Sequence, residues 1–253
     1  MEILTSLLFL CPMLFMAGVI DAISGGGGII ALPAYIMTGM PLNSAYGCNK
    51  LQSCLGTACA LFKYGKNGLV DFKPSLISAA SAIIGSYVST QIMMGLNDSV
   101  KNIIIICAMC FIITLTLLSH KFSSGDKTSV GISAKNILLF LAVGLALGLY
   151  DGFFGPGGGT IALMLFSMIF KYDLRTATGN GKVIIVVSNF IAMVNYIANG
   201  DILYQIAIPA TIANMLGCYL GAILAVKNGK KLVKKFMLAV VSIIVVQTTF
   251  KLL

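Results

Sequence analysis

Twice in this chain an apolar run carries a single carboxylate and then breaks into glycines. Residues 18–33 read GVIDAISGGGGIIALP, and residues 148–163 read GLYDGFFGPGGGTIAL. Gly and Pro resist a helix interior, Gly through backbone entropy and Pro through its missing N–H. Each stretch is therefore expected to form a half-helix, an unwound loop and a second half-helix. Unwound backbone at membrane depth persists only where protein buries it or where it lines a cavity. Two such breaks in corresponding positions point to a transport site.

The sequence around the breaks is that of a polytopic membrane protein. Hydrophobic residues make up 58% and charged residues 10%, with a mean hydropathy of +0.98. That balance excludes an ordinary soluble domain. The first apolar run lacks a basic n-region, so it is expected to be a membrane element and not a cleaved leader. Seven cysteines lie in or beside apolar segments. Cys107-Ala-Met-Cys110 has ligand spacing, but within IIIICAMCFII it is expected to be a buried pair of small side chains. His120 has no local partners and is expected at an interface, so neither a metal nor a cofactor is expected.

The chain repeats itself. Asp21 matches Asp151 at an offset of 130, and Gly26-Gly27-Gly28 match Gly157-Gly158-Gly159 at 131. At 132, Ala45-Tyr46-Gly47-Cys48-Asn49-Lys50 match Ala177-Thr178-Gly179-Asn180-Gly181-Lys182. Tyr64, Asn67-Gly68 and Gly85-Ser86-Tyr87 match Tyr196, Asn199-Gly200 and Gly217-Cys218-Tyr219. Each copy divides into five apolar pieces: 3–23, 28–39, 44–64, 74–95 and 101–119, then 136–152, 159–171, 176–198, 203–226 and 233–252. The pieces at 28–39 and 159–171 are short for a full span. The expected fold is all-α, with two repeats (1–120 and 136–253) joined by a cytoplasmic linker (121–135). Each repeat has a glycine-broken hairpin plus three transmembrane helices, giving eight to ten transmembrane segments in all.

Lysine placement accounts for the net charge of +9 without invoking nucleic acid. Four regions, near Lys66, Lys127, Arg175 and Lys231, hold 14 of the 17 basic residues. If they share the cytoplasmic side, both termini lie outside and the two repeats are inverted relative to each other, as in many secondary transporters.

Three groups of residues are candidates for chemistry. Half-helices starting near Gly28 and Gly159 would aim free N–H groups and a positive helix end at a cavity, which suits an anion. Gly26, Gly27, Gly28, Gly157, Gly158 and Gly159 are the candidate residues for this role. The bland alternative is close helix packing. Asp21 and Asp151 are the two carboxylates inside apolar runs. They are candidates to carry a coupling proton or cation, or simply to cap their own broken helices. Between them, Asp151 is expected to face the cavity more freely, because Pro156 stiffens its break. Lys50 and Lys182 lie about six residues, or about 9 Å, into their helices. Either they snorkel back to the surface, or they pair with the substrate or with Asp21 and Asp151. Asn49 and Asn180 are further candidate ligands. Ser53, Asn189 and Asn195 share the same helices, and the pattern does not say which face inward. No Gly-Lys-Ser/Thr follows either glycine run, so a nucleotide loop is not expected.

These motifs resemble the TauE/SafE sulfite exporter family, also called TSUP. GVIDAISGGGGIIALP followed by AYGCNKL is similar to its first-repeat signature. GLYDGFFGPGGGTIAL, SNF at Ser188 and NMLGCYLGA at Asn214 are similar to its second. The GFFGPGGG form is most like the branch called probable membrane transporters. The resemblance implies an inner-membrane carrier for sulfur-containing anions such as sulfite, sulfonates or sulfoacetate. Cys48 stands where the family usually has Thr, and Asn180-Gly181 where a hydroxyl is expected, so the substrate here could differ. The combined expectation is a secondary transporter of a small anion, not an enzyme, in the lipid bilayer of the cell membrane. An anion channel and, less favoured, a membrane-embedded enzyme are the alternatives. Substrate, direction, coupling ion and homo-oligomeric state stay open.

Overall fold

The computed structural model describes residues 3–118, 125–126 and 128–227. It is helical throughout, with no β-strand among the described residues. The helices are α1 (Ile3–Ser24), α2 (Gly28–Met37), α3 (Leu42–Lys66), α4 (Phe72–Gly95), α5 (Asp98–Leu118), α6 (Ala134–Phe153), α7 (Gly158–Ile169), α8 (Leu174–Ala198) and α9 (Tyr204–Lys227). The apolar piece at 233–252, His120 and the side chain of Cys110 lie outside the described residues.

Both breaks fall at the glycines. Between α1 and α2 the chain turns through Gly25, at φ +80°, and between α6 and α7 through Gly155 and Gly157, at +75° and +78°. That left-handed region strains any residue with a Cβ. α2 has 10 residues and α7 has 12, or about 15 and 18 Å. Both are too short to cross a hydrocarbon core of about 30 Å alone.

The Asn-Gly repeat has a local role. At the end of α3, Leu69 N–H donates to Tyr64 O and Gly68 N–H to Gly65 O. At the end of α8, Asp201 N–H donates to Tyr196 O and Gly200 N–H to Ile197 O. Each is a Schellman-type stop, with glycine in the left-handed position.

Five helices (α1, α4, α6, α8 and α9) are long and apolar enough to span a membrane. At 25 residues, α3 is long enough too, but it carries Asn43, Asn49, Lys50, Gln52 and Ser53. It can, because it lies against α2 and α8, with Tyr46 stacked on Tyr196 at 6.5 Å. Large apolar side chains on α4, α6 and α9, such as Ile84, Leu138 and Ile212, point outward. The interior is richer in small and polar groups, as expected of a protein solvated by lipid.

Lipid tails supply no hydrophobic drive between helices, so close backbone approach does the joining. Gly144, Gly148 and Gly152 on α6 meet Ser78, Ala82 and Ser89 on α4. A Cβ at Gly144 would lie 1.8 Å from Ser78 O. Gly18 on α1 meets Asn214 and Cys218 on α9, while Gly217 and Gly221 meet Phe15 and Val19. These joints bring α4 onto α6 and α9 onto α1. Each links a helix of one sequence repeat to a helix of the other.

Candidate functional site

The two breaks meet at the centre. Gly25 lies against the Gly159 backbone, and Gly28 lies against Gly155 and Pro156. Gly25 corresponds to Gly155, and Gly28 to Gly159, so each repeat presses the same two residues against the other. Between them is a small polar cavity of about 20 Å³. Asp21, Asp151, Gly25, Gly155, Gly28 and Gly159 line it from the breaks. Asn49, Ser53 and Thr57 line it from α3, and Ile185 and Asn189 from α8.

Two buried ion pairs cross between the repeats. Lys50 Nζ donates to Asp151 O at 2.5 Å and Asp151 Oδ2 at 3.1 Å. Lys182 Nζ donates to Asp21 O at 2.5 Å and Asp21 Oδ2 at 2.7 Å. A hydroxyl joins each pair: Ser188 Oγ donates to Asp151 Oδ2 at 2.7 Å, and Thr57 Oγ1 to Asp21 Oδ2 at 3.2 Å. Both lysines are buried, so neither snorkels to the surface. Neither aspartate caps its half-helix: Gly27 and Gly157 occupy the N-cap positions, with no side-chain hydrogen bond there. The N–H groups of Gly28, Gly159 and Thr160 have no backbone acceptor among the described residues. Two cations and two anions leave the cavity wall electrically balanced.

The other candidates separate by position. Gly27 packs on Ala17 and Asp21, and Gly158 on Asp151 and Ile185. Together with Gly26 and Gly157 they are buried behind the lining. Asn180 is not in the cavity. Its Oδ1 accepts from Asp71 N–H at 2.7 Å, and Asp71 Oδ2 in turn accepts from Tyr172 Oη and Val130 N–H. The reason is register: Asn180 is two residues, or about 200°, from Lys182 around α8. Asn195 does not line the cavity either. Exposure at the carboxylates runs opposite to the expectation from Pro156. The Asp21 side chain is 18% exposed and the Asp151 side chain 2%. Thr57, Ser188, Gly25 and Gly155 were not singled out as site residues from sequence. The signal for Thr57 was present: Lys50, Ser53 and Thr57 follow an i, i+3, i+7 face of α3.

The sulfite exporter TauE/SafE family matches residues 10–248 of this chain. The chain belongs to the TauE/SafE family. A Sinorhizobium relative, probable membrane transporter protein ORF9, is 32% identical over 94% of this chain and 89% of its own length. A Haemophilus influenzae probable membrane transporter protein is 30% identical over 87% of this chain and 85% of its own. Probable membrane transporter protein YfcA of Escherichia coli K12 is 27% identical over 95% and 91%. No solved structure matches. As a TauE/SafE member with several apolar spans, the chain is a multi-pass membrane transporter, and its relatives' names point to transport, not catalysis.

Proposed function

We propose that this protein is a secondary carrier that moves a small oxyanion of the oxidised-sulfur type together with a proton. Two inverted repeats would rock around the central cavity. The observation that carries this reading is the exchanged pair of ion pairs, Lys50–Asp151 and Lys182–Asp21. Each lysine reaches from one repeat to the glycine break of the other, so a rocking motion must load or release both pairs. The reciprocal glycine contacts support the inverted arrangement, since equivalent residues meet equivalent neighbours.

Charge balance supplies the coupling. An anion entering a balanced, buried site adds an uncompensated charge, which is costly away from water. A proton taken up by Asp21 or Asp151 removes that cost and frees a lysine ammonium for the anion. The uncapped N–H groups of Gly28, Gly159 and Thr160 then donate to the remaining oxygens as helix N-termini do. Cytoplasmic placement of Lys66, Lys127 and Lys231, and outward placement of Asn97 and Asp201, completes the topology.

Reconstitution into vesicles with an internal pH dye tests the proposal. Sulfite, thiosulfate or a sulfonate should enter saturably and bring protons with it. Asp21→Asn and Asp151→Asn should cut gradient-driven uptake at least tenfold while leaving exchange of labelled substrate. Flux that does not saturate and moves no protons would make the protein a channel. Separately, labelling of introduced cysteines at 66 and 201 from the same side would overturn the inverted topology.

A further inference from the structure

We propose that Gln52, which does not line the cavity, sets the sign of ligand the cavity accepts by fixing its polar wall as hydrogen-bond donors. The inference rests on the anion reading above and deepens it. Gln52 is buried, at 2% exposure. Its Nε2 donates to Asn49 Oδ1 at 3.1 Å and to Ser53 Oγ at 3.1 Å. Both acceptors are cavity residues.

An amide has one acceptor end and one donor end, and a hydroxyl has one proton. With its Oδ1 accepting from Gln52, Asn49 has both Nδ2–H donors left for the cavity. That Nδ2 has no partner among the described residues; it lies 3.7 Å from where a Cβ on Gly155 would sit, and Lys50 Nζ lies 3.3 Å from the same point. Ser53 Oγ accepts from Gln52 on one lone pair, and its proton is free to turn to the cavity. Across the cavity, Asn189 on α8 is 3% exposed and makes no hydrogen bond among the described residues, so a ligand is its available partner. A ligand with several acceptor oxygens satisfies these donors. Turning Gln52 around would reverse the whole row, since Oε1 would demand protons from Asn49 and Ser53 and leave their oxygens facing inward. Gln52 is thus a positioning residue for oxyanion selectivity.

The test is sulfite binding to the purified full-length protein in detergent, by calorimetry, with the melting temperature of each ligand-free variant measured in parallel. Gln52→Glu offers only acceptors to Asn49 and Ser53. It should weaken sulfite binding by more than tenfold, since two hydrogen bonds to a charged ligand are lost or reversed. Gln52→Met keeps the volume, adds no charge and frees both side chains to rotate; it should weaken binding about three- to tenfold. Ser53→Ala removes one donor and should cost less than Gln52→Glu. These losses should appear at ligand-free melting temperatures close to that of the unmodified protein, which a purely structural role for Gln52 does not predict. If Gln52→Glu does not fold, Gln52→Met and Ser53→Ala carry the test. Unmodified sulfite affinity in Gln52→Met overturns the role of Gln52 and leaves the anion reading standing. If the unmodified protein binds neither sulfite, thiosulfate nor methanesulfonate, both fall together.

Discussion

The Lys50–Asp151 and Lys182–Asp21 pairs are built from matching residues, yet their surroundings differ. At Asp151 the carboxylate is nearly sealed, and Ser188 donates to it at 2.7 Å. Its backbone oxygen has no amide partner across the break, so Lys50 takes that place. At Asp21 the backbone oxygen already accepts from Gly25 N–H at 2.8 Å, and Lys182 is a second donor. The Asp21 carboxylate is partly open, and Thr57 sits further off at 3.2 Å. Matching parts thus hold one tight and one looser arrangement.

Removing the lysines should separate the two sides most. Lys50→Met leaves Asp151 buried without its cation, and loss of one partner of a buried pair costs about 3–5 kcal/mol. Lys182→Met leaves a carboxylate that is partly hydrated and still held by Thr57; it should cost about 1–3 kcal/mol. Denaturant unfolding in detergent measures both, and equal losses would erase the distinction.

The glycine turns give the next contrast. Gly25→Ala and Gly155→Ala both place a Cβ at positive φ, a strain of about 1–2 kcal/mol. At Gly25 the new atom also meets Gly159 backbone at 2.2 Å, whereas at Gly155 its nearest neighbour is the flexible Lys50 Nζ at 3.3 Å. Gly25→Ala should therefore be the more damaging to melting temperature. Gly155→Ala should spare the fold better while displacing Lys50, and so lower transport more than stability. The reverse order would mean that the two breaks are not packed as described.

The hydroxyls give the smallest difference. Ser188→Ala should cost about 1–2 kcal/mol and Thr57→Ala about 0.5–1 kcal/mol, in line with their distances to the carboxylates. A larger loss at Thr57 would make Asp21 the tighter side.

Much of this was legible in the chain. The glycine breaks, the two short half-helices and the Asn-Gly stops follow from backbone preferences, which act locally and leave local marks. The burial of Asp151 and the partial burial of Asp21 followed from their place in apolar runs. Which lysine serves which aspartate did not, because those partners lie 101 and 161 residues apart and no periodicity links them. Asn180 was a candidate only as a polar residue near Lys182; in the offset that matches Lys50 to Lys182 it aligns with Cys48, and Gly181 aligns with Asn49. Gln52 left no mark at all, since an amide on a polar helix announces neither its burial nor the direction of its bonds.

The exchange of partners also bears on how the chain is made. Lys50 leaves the ribosome 101 residues before Asp151, and Asp21 leaves 161 residues before Lys182. At about 5–20 residues per second, the first half waits roughly five to thirty seconds for its final counter-charges. During that interval Asp21 and Lys50 have only each other, water or headgroups to turn to. Completion of the second half then replaces an internal compromise with two cross-links at once. In the folded protein neither half's aspartate is paired with its own half's lysine, so the two ion pairs tie the halves into one unit.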